Sequence, residues 1–158
     1  MEVRIAAESE FEHLARLWHD GWWDAHAQIL PRELARHRTL ESFEHRLRSS
    51  AQHLRVIGPM NHAVGLCITK GDELNQLYVS GAARGGDVAL ALLNDGEMRI
   101  RNAGWRRGWL ACAIGNNRAA RFYEKSGWLL ARVDSIELET PEGMFPLIVW
   151  RYEKSLSP

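Results

Sequence analysis

The sequence has only two cysteines, Cys67 and Cys112, among 158 residues. That number rules out a disulfide framework. Both lie in apolar, strand-like runs, which predicts small core residues. Charge of one sign is also missing, because twenty Lys and Arg balance twenty Asp and Glu. A broad basic surface is therefore not expected, nor nucleic acid as a partner, which leaves only a local basic patch open. No apolar run approaches the roughly eighteen residues of a membrane span, so no membrane is expected as a partner. The opening MEVRIAAESEFEHL lacks the charged-then-apolar pattern of a leader, and the expected location is cytoplasmic. No repeat, low-complexity tract or Pro/Gly/Ser-rich linker divides the chain, which predicts a single domain over residues 1–158. What remains is 46% hydrophobic and 25% charged, the composition of a globular protein rather than a disordered one.

Periodicity predicts the order of elements. Val3 to Ala6 is short and apolar enough for a strand. Ser9 with Glu12 three residues later has the form of a capping box, and Phe11, Leu14, Ala15 and Trp18 follow at helical spacing. Gly21 is a candidate break or kink before the stripe resumes towards Pro31. Thr39 with Ser42 opens another helix, running to about Ser50. The period then changes to two, predicting strands over His53–Ile57, His62–Thr69 and Glu73–Ser80 with short turns between them. A helix over Val88–Ala103, a strand over Trp109–Ile114, a helix over Asn116–Ser126 and two closing strands, Trp128–Leu138 and Phe145–Tyr152, complete the chain. Strand–helix–strand in the middle calls for a parallel pair with a right-handed crossover, and the flanks are antiparallel. The fold class is α+β, with a mixed, mostly antiparallel sheet of about six or seven strands and about four helices.

Two segments carry chemistry. In LYVSGAARGGDVALALL an apolar strand ends at Val79, a loop of small residues follows, and a helix begins near Asp87 or Val88. Free N–H groups and the helix dipole make such a loop suited to an anion, and glycine allows close approach. The spacing fits neither a Walker loop nor a G-x-G-x-x-G fingerprint, so an ordinary strand-to-helix turn is the competing reading. The second segment is GNNRAARFYEKSGW, where Phe122 and Tyr123 read equally as core aromatics.

Taken together, in this order and about thirty residues apart, the two segments resemble the GNAT superfamily of acetyl-CoA-dependent N-acetyltransferases. The second matches throughout: Asn116, Ala119, Phe122, Tyr123, Glu124, Lys125, Gly127 and Trp128. The first matches at Arg84, Gly85, Gly86, Val88 and Ala89, with Asp87 in place of the usual glycine. The resemblance implies a splayed parallel pair whose cleft takes the pantetheine of acetyl-CoA beside Leu77, Tyr78 and Val79. It implies a pyrophosphate on the N–H groups from Arg84 to Ala89, with Asn116, Phe122 and Tyr123 also at the cofactor. It implies direct transfer of the acetyl group to a primary amine of a small molecule or peptide, by a monomer or homodimer. Glu73 matches the position of a glutamate base, against a solvated strand-end carboxylate. Tyr123 matches the tyrosine that protonates the departing thiolate, against a packing role. Asn116 bonds the cofactor, caps the next helix, or does both. Lys125 is a solvent-facing or nucleotide-edge charge.

The first helical segment would wall the acceptor pocket, with Trp22, Trp23 and His26 as candidate substrate contacts and His26 as an alternative base. Trp22 and Trp23 are adjacent and cannot both face the same way. Scattered histidines without a zinc spacing predict no metal site. Asp87 keeps a rival alive, a non-catalytic acyl-CoA-binding or interaction module on the same fold. A carboxylate about 4 Å from a phosphate repels it by about 1 kcal/mol in water and about 4 at an effective dielectric of 20. Two placements are open: a side chain turned to solvent, or one that impairs cofactor binding.

Overall fold

The computed structural model describes residues 1–157. The elements in chain order are β1 (Val3–Ile5), α1 (Phe11–His26), α2 (Arg32–Ala35), α3 (Leu40–Ser49), β2 (Leu54–Ile57), β3 (Gly65–Lys70), β4 (Glu73–Val79), α4 (Val88–Asn102), β5 (Arg107–Ala113), α5 (Asn117–Lys125), β6 (Leu129–Thr140) and β7 (Gly143–Ser155). The seven strands form one sheet in the order β1-β2-β3-β4-β5-β7-β6. All neighbours are antiparallel except β4 and β5. The expected fold class holds, with five helices rather than four. The additional one is the single turn α2, which starts directly after Pro31.

Each face of the sheet buries its own core. Leu14, Trp18, Leu34, Phe43 and Leu47 from α1, α2 and α3 pack on Leu66 and Ile68 of β3. Val88, Leu92 and Ile100 of α4 and Ala120 and Tyr123 of α5 pack on the opposite face, against Cys67, Leu74 and Leu110. Covering on both faces explains why β3 is apolar at successive positions instead of alternating. Both cysteines are free and buried, and burial pushes each thiol up to about 12.

Two local expectations are corrected. The turn before α1 is not held by Ser9 and Glu12. Glu10 instead turns back to accept from the backbone N–H of Ala7 at 2.9 Å, and the Ser9 hydroxyl reaches Asn61. Gly21 does not break α1, which runs unbroken to His26. Its role is steric, because a Cβ there would lie 2.7 Å from Cδ1 of Tyr78. A glycine normally weakens a helix interior. Here it lets the ring of a β4 residue seat against the helix. The helix expected from Thr39 is present, and a capping box opens it, with Ser42 N–H donating to Thr39 Oγ1 at 3.1 Å.

The feature that positions the site is the β4–β5 pair. β5 holds β7 over seven residues, from Arg107↔Ser155 to Ala113↔Val149, but meets β4 at one pair, Glu73↔Trp109. Beyond that pair the strands diverge. The register of β3 on β4 jumps from Ile68↔Gln76 to Thr69↔Leu74, leaving Asn75 as an extra residue. Such a bulge bends a strand and increases its twist, which turns the end of β4 away from β5.

Candidate active site

The divergence opens a cleft. Leu77, Tyr78 and Val79 form one wall, and Asn116, Phe122 and Tyr123 from the start and middle of α5 form the other. Gly21 and Ala25 of α1 close one side, and the loop Ala83–Gly86 with Ala89 closes the end. Because β4 and β5 share a single registered pair, the β5-facing backbone groups of β4 towards Val79 have no strand partner on that side. Unpaired strand-edge groups of this kind bind an extended chain by main-chain hydrogen bonds.

The loop has the form of an anion cradle. From Gly85 to Leu90 no backbone N–H meets a backbone acceptor, and the first that does is Ala91, donating to Asp87 O at 2.9 Å. These are the orphan donors of a helix start, aligned with the positive end of its dipole. Gly85 takes φ +83, which strains any residue with a Cβ, and a Cβ there would meet nothing within 4 Å. A Cβ at Gly86 would find only Ala83 O, at 3.7 Å. The cradle is thus open on its outer side and fits a diphosphate, the group that coenzyme A would place there.

Asp87 takes φ −88 and needs no glycine. Its side chain is exposed and does not line the cleft. Val88 turns its side chain into the core and offers the site only its backbone. A carboxylate that faces solvent is screened, so its repulsion stays near the aqueous limit. Asp87→Gly is expected to tighten acetyl-CoA binding by no more than about fivefold, measured by calorimetric titration of both proteins. A hundredfold gain would show that the carboxylate lies against the phosphates.

One contact across the mouth of the cleft had no sequence signal. Asp24 on α1 accepts from Arg84 Nη2 at 2.8 Å and from Arg118 Nη2 at 3.2 Å. These arginines, chiefly Arg84, hold the Asp24 carboxyl below its usual range. The carboxylate therefore ties the cradle loop and α5 to α1, and it engages two cations that border the cleft.

At the floor, the Tyr123 ring is buried against Phe122 and Trp128, with centroids 5.3 and 6.3 Å away. Burial raises its phenol well above the ordinary value, so it stays protonated. Its hydroxyl makes no hydrogen bond among the described residues, yet is not one of the sealed, unpartnered atoms. Tyr123 lines the cleft, and its protonated hydroxyl is free of protein partners there. Asn116 caps α5, accepting from Ala119 N–H at 3.4 Å, and also lines the cleft.

Four of the residues singled out in the sequence stand away from these walls. Glu73 lies half-buried at the joined end of β4, where burial raises its carboxyl above the usual range. Trp22 is a core residue beside Phe43 and His26. Trp23 donates its indole N–H to Arg38 O at 2.8 Å and braces the segment between α2 and α3. His26 is buried, its Nδ1 is 2.9 Å from Trp22 O, and burial pushes its imidazole down to about 4. The imidazole is neutral at neutral pH.

A sheet parted at one parallel pair, with free helix-start donors at its open end, leaves a cleft between strands with room for an extended, phosphate-bearing molecule. The model of the acetyltransferase (GNAT) family matches residues 15–128, and the chain belongs to that family. It is an acyltransferase whose donor is acetyl-CoA. No curated protein matches the sequence. Similar solved structures include a GCN5-related N-acetyltransferase from Rhodopseudomonas palustris, with TM-score 0.75 and 19% identity over 97% of this chain and 94% of that one. The PaiA N-acetyltransferase from Thermoplasma acidophilum, in complex with coenzyme A, gives 0.70 and 18% over 98% of each chain. YncA from Salmonella typhimurium, with acetyl-CoA, gives 0.72 and 12% over 100% of this chain and 95% of that one. At these identities the likeness is one of fold.

Proposed function

We propose that the chain is a single-domain N-acetyltransferase that moves the acetyl group directly to a primary amine of a small molecule or peptide. The observation that carries this reading is the cleft itself, with orphan N–H groups at one end and the Tyr123 hydroxyl at the floor. The N–H groups of 85–90 would hold the pyrophosphate, and the free edge of β4 near Leu77 would hold the pantetheine. A backbone N–H near Leu77 would meet the oxyanion that develops as the amine attacks. No covalent nucleophile is needed, and both thiols are buried with raised pKa values.

Two proton movements fall to side chains. An alkyl ammonium, with pKa around 10, must lose a proton before it attacks. Glu73 is four residues from Leu77, about 13 Å along the strand, so it would act through intervening water. Its burial-raised pKa makes it a better proton acceptor than an exposed carboxylate. Tyr123 would donate to the leaving thiolate. The solvent-facing Asp87 weakens the case for a binding-only module.

The test is release of free thiol from acetyl-CoA in the presence of a panel of primary amines and peptides. Amine-dependent release with an acetylated product supports the reading. Tight binding of acetyl-CoA with no amine-dependent release across the panel would favour the binding module. Among the described residues, no helix is long and apolar enough to cross a membrane. A cytoplasmic enzyme, monomeric or homodimeric, is the setting we infer.

A further inference from the structure

Two arginines on the α1–α3 side of the sheet, Arg38 buried and Arg46 half-buried, have no counter-ion among the described residues. Arg38 is 3% exposed, its Nε is buried with no partner, and its one side-chain hydrogen bond is Nη1 to Glu139 O at 3.3 Å. Arg46 makes no side-chain hydrogen bond and no ion pair among the described residues, and its Nη1 is sealed from solvent. The Arg46 guanidinium sits over Trp18 at 4.4 Å and within 5.5 Å of the Phe43 ring. A third enclosed donor, Trp18 Nε1, has no partner of hydrogen-bonding geometry either. Glu139 is the carboxylate that bears on Arg46, but it is exposed and forms no ion pair with it.

Buried polar groups are normally satisfied, and an enclosed unpaired cation is among the costlier things a fold can keep. Arg38 is such a cation, and it lies close enough to the half-buried Arg46 to repel it. The Trp18 indole N–H beside them reaches no acceptor in good geometry, with only the Tyr78 hydroxyl near it. The two guanidiniums lack an anion, and one placed among them would also offer the indole an acceptor.

Tyr78 connects this cluster to the cleft. Tyr78 lines the cleft, and its ring seats on Gly21 and stands 6.4 Å from the Trp18 ring. Both arginines act on its hydroxyl. Leu138, Phe145 and Leu147 of the β6–β7 hairpin pack against the same core, so the arginines lie between α1, α3 and the hairpin. We propose that Arg38 and Arg46 form the anion-binding end of the acceptor site, and that the acceptor is an amine carrying a carboxylate. A planar monoanion matches the guanidinium fork and loses less hydration on entering an aromatic-walled site than a phosphate dianion. The inference rests on the acyl-transfer reading for its amine and on the arginine cluster alone for its anion.

The test titrates the 15N-labelled protein with the ω-amino acids from glycine to 6-aminohexanoate, and with butyrate, butylamine and inorganic phosphate. It follows the Trp18 indole and Arg46 Nε–H resonances. Carboxylates shift both, and butylamine shifts neither. Arg46→Met abolishes the Trp18 response. Arg46→Lys, which keeps the charge without the fork, weakens it at least tenfold. In turnover, the ratio of kcat/KM for the best ω-amino acid to that for butylamine falls at least tenfold in Arg46→Lys. Phosphate acting where carboxylates do not would overturn the carboxylate assignment. Absence of any anion response, or an unchanged response in both variants, would overturn the site. The titration needs no acetyl transfer. Carboxylate binding without thiol release would therefore leave the anion site standing and count against the acyl-transfer reading alone.

Discussion

Tyr123→Phe is expected to lower kcat by about a hundredfold or more while leaving the acetyl-CoA dissociation constant within about threefold. The asymmetry comes from what the substitution removes. The ring is buried between Phe122 and Trp128, and phenylalanine keeps that packing. Only the hydroxyl is lost, and it has no protein partner to leave unsatisfied. Ground-state binding therefore changes little. The thiolate, with a conjugate acid near 8.5, loses the donor that would meet its charge as the bond to the acyl carbon breaks. Burial holds the phenol protonated well beyond neutral pH, so loss of this proton should impose no basic limb on the wild-type rate below about pH 10. Single-turnover kinetics with acetyl-CoA, beside calorimetric titration, separate the two effects. A kcat within twofold of wild type would reduce Tyr123 to a packing residue.

The elements that frame this site were legible because several local signals agree there. A strand ending at Val79, small residues, a helix from Val88 and a strand before Gly115 define the crossover, and the structure holds each within about two residues. The splay was not legible from spacing. It depends on the bulge at Asn75, where one residue of β4 has no partner on β3, and nothing in ELNQLYV marks that position. Only the family resemblance carried it. The turn α2 was missed because four residues are too few for a period to show.

Charged residues were the weakest part of the reading. Asp24 closes on Arg84 and Arg118, 60 and 94 residues away, a separation no local pattern reaches. Arg46 did carry a usable signal. It falls three residues after Phe43 and one before Leu47, both fully buried, so helical geometry places it beside the apolar face. Trp22 and Trp23 do not part as adjacency suggested: their rings meet edge to face at 5.6 Å on one core, and neither lines the cleft. Gly21 read as a helix breaker because its partner, Tyr78, is distant in sequence. Such positions, where a local rule fails, mark the surfaces at which α1 meets the site.

Glu10→Gln should cost about 2–3 kcal/mol of stability at neutral pH, a drop in Tm of about 4–12 °C for a chain of this size. The Glu10 side chain is fully buried and accepts four hydrogen bonds. Arg4 donates from Nη1 and Nη2 at 2.8 Å each, and the backbone N–H groups of Ala7 and Asn61 donate at 2.9 and 3.0 Å. Arg4 also donates to Gly58 O and Pro59 O. One carboxylate thus joins β1, the start of α1 and the turn between β2 and β3. Arg4, followed by burial working in the opposite sense and by the backbone donors, brings the carboxyl from 4.5 down to about 2. A depressed folded pKa gives stability that is present above the unfolded value and lost as pH falls through the folded one. The gap between wild type and variant should therefore be full above about pH 5 and close steadily towards pH 2. Urea denaturation at pH 7, 4 and 2.5 measures it. The upper end is about 3 kcal/mol from the shift, lowered because Arg4 is partly open to solvent. A gap that stayed constant across those three pH values would mean that the ionised carboxylate is not what joins the three segments.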